Sequence, residues 1–83
     1  MSINSDIAAI LYEIGEILTL ERDIFRSRAY LMAAQRITAL TEDIRGIREK
    51  GELEQIPGVG KSISAVIIEI LETKNSSYYN TLS

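Results

Sequence analysis

The chain has 83 residues, with nine Lys or Arg, twelve Asp or Glu, and no His, Cys or Trp. That length holds one hydrophobic core and not two. Without Cys or His, disulfide frameworks, the usual zinc sites and thiol or Ser-His-Asp chemistry are excluded. The formal net charge of −3 gives no overall attraction to polyanions, so affinity for nucleic acid has to come from a local patch. No apolar run approaches the ~18 residues of a membrane span. No basic stretch followed by an apolar one marks a secretory signal, so the expected setting is cytoplasmic (nucleoid-associated in a prokaryote), as a whole protein or a domain of a longer one.

Apolar spacing is helical from end to end. Ile7, Ile10, Leu11, Ile14, Ile17 and Leu18 draw one stripe, predicting a helix from Ser5 to Leu20 with Asn4 or Ser5 as its cap and Asp6 in its first turn. A second helix is predicted from near Asp23 to near Leu40, with Phe25, Ala29, Met32, Ala33, Ile37 and Leu40 as its apolar face. Thr41, Asp43 and Ile44 open a short third helix that ends near Lys50 and Gly51, and Glu52–Gln55 form one further turn. Pro57 blocks helix continuation, and the last helix runs from Lys61 to about Thr73, with Asn75-Ser76-Ser77 ending it. No stretch alternates apolar and polar residues over a strand's length. The expected fold class is all-α, a domain of four to five small helices.

The strongest motif is Leu53-Glu54-Gln55-Ile56-Pro57-Gly58-Val59-Gly60-Lys61-Ser62-Ile63. A short turn of helix, an apolar-Pro-Gly-apolar-Gly loop and a longer helix follow one another, which resembles the helix-hairpin-helix motif of DNA repair proteins. The chemistry fits an anion. Two glycines bare the backbone, the amides of Gly58, Gly60 and Lys61 gather at a helix N-terminus, Lys61 adds charge and Ser62 a hydroxyl. Such contacts, Val59 lying between the glycines, hold a phosphate backbone without reading bases. The plain alternative is an interhelical turn without a ligand. A P-loop is rejected, because Gln55 stands where its first glycine belongs and no strand precedes it.

A second signal is a basic cluster with one aromatic residue: Arg22, Arg26, Arg28, Tyr30 and Arg36 hold four of the nine positive charges. At helical spacing Arg22, Arg26 and Tyr30 share a face that suits a 5′ phosphate and a terminal base. A solvated face paired with Glu21 and Asp23 is the alternative reading.

Together, Phe25-Arg26-Ser27-Arg28-Ala29-Tyr30 and Ile56-Pro57-Gly58-Val59-Gly60-Lys61-Ser62-Ile63 resemble the N-terminal domain of family X DNA polymerases, over roughly Ile7 to Leu82 and including Tyr78-Tyr79. The resemblance implies a module that grips the 5′-phosphate side of gapped or nicked duplex DNA during repair, including base excision repair, while separate domains polymerise. Other domains of the same polymerase are then implied partners, and no membrane is. Arg26 falls on a phosphate-binding lysine of the family and Tyr30 on a pocket tyrosine. Backbone carbonyls of Glu54, Ile56 and Val59 fall where the family holds a Na⁺ or K⁺ ion; no other cofactor is implied.

The family's lyase chemistry does not carry over by resemblance. The position of its Schiff-base lysine is Val66, and two further pocket lysines correspond to Ser62 and Glu54. Val66 has no amine to form an imine. No catalytic residue is therefore assigned. Two rival readings remain at this point: a 5′-deoxyribose-phosphate lyase using Lys61, one of three lysines, and a helical bundle that binds only protein. For the latter, Val66 and Ile68 make the last helix apolar nearly all round.

Overall fold

A computed structural model describes residues 2–74 and 77–82. The described residues form helices and turns with no strand: α1 (Ile3–Leu20), α2 (Ile24–Thr38), α3 (Ile44–Glu49), a 3₁₀ turn (Leu53–Gln55), α4 (Lys61–Thr73) and α5 (Ser77–Leu82). The all-α expectation holds. Asn75 and Ser76, read above as the stop after the last helix, lie outside the described residues. The short helix α5 is an element that the apolar periodicity alone does not reveal.

Helix starts follow local chemistry, with one correction. The cap of α1 is Ser2 rather than Asn4 or Ser5: its hydroxyl accepts the Ser5 amide at 3.1 Å. Asn4 is used elsewhere. Its side-chain amide donates to the Glu42 carbonyl at 2.8 Å, and its oxygen accepts the Ile44 amide at 2.9 Å. Asn4 thus ties the start of α1 to the start of α3, forty residues away in sequence. Asp23 caps α2 by accepting the Arg26 amide, and Asp43 caps α3 by accepting the Arg45 amide. The Arg45 guanidinium also bonds the Asp43 carboxylate and holds its pKa down to about 2.

Packing is centred on α1. Ile7, Leu11, Ile14 and Leu18 are fully buried, and Ile37, Ile44 and Ile67 meet them from α2, α3 and α4. Each such side chain contributes about 1.5–3 kcal/mol by leaving water. Ile10 and Ile17 flank the stripe half-buried.

The crossing of α1 and α2 is set by small residues. A Cβ on Gly15 would lie 2.6 Å from Leu31 Cδ2 and 3.3 Å from the Leu31 amide nitrogen, so only glycine permits this approach. The Gly15 carbonyl accepts both the Ser27 hydroxyl at 2.9 Å and the Thr19 hydroxyl at 3.0 Å, and those two hydroxyls also touch each other. The buried face of α2 is consequently Ser27, Tyr30, Ala33, Ala34 and Ile37. This corrects the predicted face. Phe25 is 87% exposed and Met32 50% exposed, because Gly15 receives Leu31 and Ser27, which turns their side of α2 toward α1. On α4, Val66 and Ile68 are half-buried against the core, not left as an open apolar face.

Candidate nucleic-acid interface

The hairpin between the 3₁₀ turn and α4 is built on two anchors and one left-handed glycine. Ile56 and Val59 are buried, while Pro57, Gly58 and Gly60 are exposed. The Val59 amide donates to the Ile56 carbonyl at 2.9 Å, and Gly58 between them has φ +88°. Proline second, glycine third and a first-to-fourth hydrogen bond make a type II turn. Gly58 also faces α2: an added Cβ would stand 3.3 Å from Met32 Cγ. The loop is therefore anchored in the core by Ile56 and Val59, lies against α2 at Gly58, and leaves Pro57, Gly58 and Gly60 exposed.

Gly60 is the cap of α4 in an extended conformation, with no side chain closing the helix end. A Cβ there would meet nothing within 4 Å. The Gly60 carbonyl accepts the Ser64 amide at 2.9 Å, so the helix is properly started. Among the described residues, the amides of Gly58, Gly60, Lys61 and Ser62 have no hydrogen-bond acceptor. The bare N–H groups of Gly60, Lys61 and Ser62 at the start of a 13-residue helix, with that of Gly58 just before them, suit an anion. Lys61 and Ser62 stand exposed beside it.

The carbonyls expected to hold a monovalent cation accept few hydrogen bonds. Those of Glu54 and Val59 accept no hydrogen bond among the described residues, and that of Ile56 takes only the Val59 amide. A carbonyl has two lone pairs, so all three oxygens retain a free one. Among the described residues no group of carboxylates offers a divalent-metal site.

The basic face on α2 is rearranged relative to the expectation. Arg22 is not on the helix: it occupies the α1–α2 turn with φ 66°, so it does not share a face with Arg26. Tyr30 is 5% exposed, its ring stacked on Tyr78 of α5 with centroids 5.7 Å apart. It does not lie open for a terminal base to rest on. Burial, and next the neighbouring Tyr78, push its phenol up to about 12. Arg26 is exposed, with Nε donating to Asp23 Oδ2 at 2.9 Å and its guanidinium carbon 5.6 Å from the Tyr78 ring centroid. Asp23 is held below the usual carboxylate range chiefly by that hydrogen bond. Arg28 lies elsewhere, lining a groove between α1 and α2 with Tyr12, Leu31 and Met32. Among the described residues, Arg22, Arg28, Arg36, Lys61 and Lys74 make no ion pair, whereas Arg26, Arg45, Arg48 and Lys50 do.

Two supports of this surface are not among the residues that the motifs single out. Met32 underlies the hairpin glycine, and Tyr78 covers Tyr30 and meets Arg26. Nothing local marks Met32, which reads as an ordinary core position. For Tyr78 the signal is a Tyr-Tyr pair in a polar tail.

An all-helical domain with unpaired amides at a Pro-Gly hairpin between a helical turn and a longer helix has the layout of a helix-hairpin-helix module. A family model for the helix-hairpin-helix domain matches residues 2–76, and the chain belongs to that family. Domains of this family generally bind DNA. No curated protein matches the chain. Among the described residues no helix is long and apolar enough to cross a membrane.

Proposed function

We propose that this chain is the sequence-nonspecific DNA-binding module of a family X DNA polymerase, gripping the backbone on the 5′-phosphate side of gapped or nicked duplex. The observation that carries the reading is the hairpin: bare amides at Gly58, Gly60, Lys61 and Ser62 with an unpaired Lys61 beside them. A phosphate there accepts backbone N–H bonds, gains the α4 dipole and meets the Lys61 ammonium. A Na⁺ or K⁺ ion on the Glu54, Ile56 and Val59 carbonyls would offset repulsion between those oxygens and the phosphate. Arg26 supplies a second, separate phosphate contact. Lys61 is exposed and lacks the burial by which a Schiff-base amine is activated, which favours a binding role over lyase chemistry.

Titration of a labelled 5′-phosphorylated gapped duplex at several salt concentrations tests this. Affinity should fall as salt rises, equally for unrelated sequences. Lys61→Ala should weaken binding for every sequence and reduce the salt slope by about 1. An unchanged affinity and slope, or binding confined to one sequence, would remove the reading.

A further inference from the structure

The guanidinium of Arg26 is constrained on two sides. Asp23 takes the Nε–H at 2.9 Å, and the Tyr78 ring lies beneath with its centroid 5.6 Å from the guanidinium carbon. The ring is itself braced by Tyr30, stacked at 5.7 Å with 27° between the planes. The Arg26 side chain stays 55% exposed, and its terminal nitrogens have no hydrogen-bond partner among the described residues. A guanidinium presents five N–H donors in one plane. With Nε tied and one face resting on a ring, the outer fork is left free and held in direction. That is the arrangement suited to a bidentate phosphate contact, since little side-chain freedom remains to be lost on binding.

We infer that Tyr78 is a positioning residue for Arg26, so that α5 is part of the DNA-binding surface and not only a terminal cover for the core. The inference rests on the DNA-binding reading above and deepens it. Helix α5 has six residues, too few to persist unaided, so its place depends on docking. The docking is visible: the Tyr79 hydroxyl donates to Glu13 Oε2 at 2.5 Å, and Tyr78, Tyr79 and Leu82 pack against the core. The Tyr78 hydroxyl is buried without a hydrogen-bond partner, so the ring and not the hydroxyl supplies the contact that matters here.

The test is a double-mutant cycle on the whole chain, read as affinity for the gapped duplex. Tyr78→Ala should weaken binding about two- to fivefold, the scale of one cation–π contact. Tyr78→Leu, which keeps apolar volume and guards against a folding defect, should weaken it equally. Tyr78→Phe should restore wild-type affinity. Combined with Arg26→Ala, the loss from Tyr78→Ala should vanish, because the two residues act as one unit. Additive losses, a Tyr78→Leu variant that binds like wild type, or an Arg26→Ala variant that does so, each overturn the inference while leaving the hairpin reading intact. If the wild-type chain does not bind the gapped duplex at all, the DNA reading itself falls, and this inference with it.

Discussion

Gly58 shows how a single residue sets the surface. Its φ of +88° lies in the left-handed region, and a Cβ would press on Met32 at 3.3 Å. Gly58→Ala should therefore cost stability on two counts, backbone strain of about 1 kcal/mol and displacement of Met32. Chemical denaturation should show a loss of about 1–2 kcal/mol. A variant as stable as the parent would mean that the turn re-forms without a left-handed residue. Gly60 should behave differently, because its conformation is extended and the space beside it is open. A side chain there would disturb approaching phosphate and not the fold. Arg26 is the other instructive residue. Charge counting finds it, but whether its guanidinium is loose or directed depends on Asp23, three residues before it, and on Tyr78, fifty-two residues after it.

At the scale of elements, the contact between α1 and α2 controls which face of α2 the solvent sees. Gly15, Ser27 and Thr19 meet through one carbonyl and two hydroxyls, and Leu31 fills the space where a Gly15 side chain would be. Gly15→Ala tests this balance. Helix propensity favours alanine by about 1 kcal/mol, whereas overpacking costs about 1–3 kcal/mol. With Leu31 Cγ at 2.8 Å and its amide nitrogen at 3.3 Å, backbone as well as side chain must give, so the cost wins. A net loss in thermal midpoint is expected, together with shifted amide resonances along α2. A gain in midpoint would show that α2 moves aside freely. The predicted start and end of α3 and α4 agree with the structure to within a residue or two. Capping and glycine signals are local, so they survive folding unchanged.

For the molecule as a whole, the tail matters more than its length implies. Tyr30 joins α2 to α5, and its phenol is pushed up to about 12 by burial first and by neighbouring Tyr78 second. The folded state therefore prefers the neutral phenol. The stability it contributes is complete below about pH 10, its ordinary value, and is lost as pH rises through about 12. Absorbance titration should find the Tyr30 phenol ionising well above the ordinary tyrosine value, coincident with release of α5 and loss of helical dichroism. A Tyr30 phenol that ionises near pH 10 without unfolding would contradict this placement. The acidic net charge of −3 gives the surface as a whole no attraction to DNA, so the proposed reading rests on the hairpin and Arg26 as local contacts.

The linear chain by itself determined the all-helical class, the Pro57–Gly60 hairpin and most helix boundaries, because periodicity, proline, glycine and capping act over a few residues. The hairpin half of the candidate site was legible for the same reason: its Pro-Gly order and Lys61 are contiguous. Only tertiary structure decided the other half. It put Arg22 in a turn, Tyr30 inside, Phe25 outside and Tyr78 under Arg26. The rotation of a helix is chosen by the closest approach that its neighbours allow. Here that approach is set by one glycine in α1, and Tyr30 and Arg26 are met by Tyr78 of a six-residue helix at the far end of the chain; no local pattern encodes either distance.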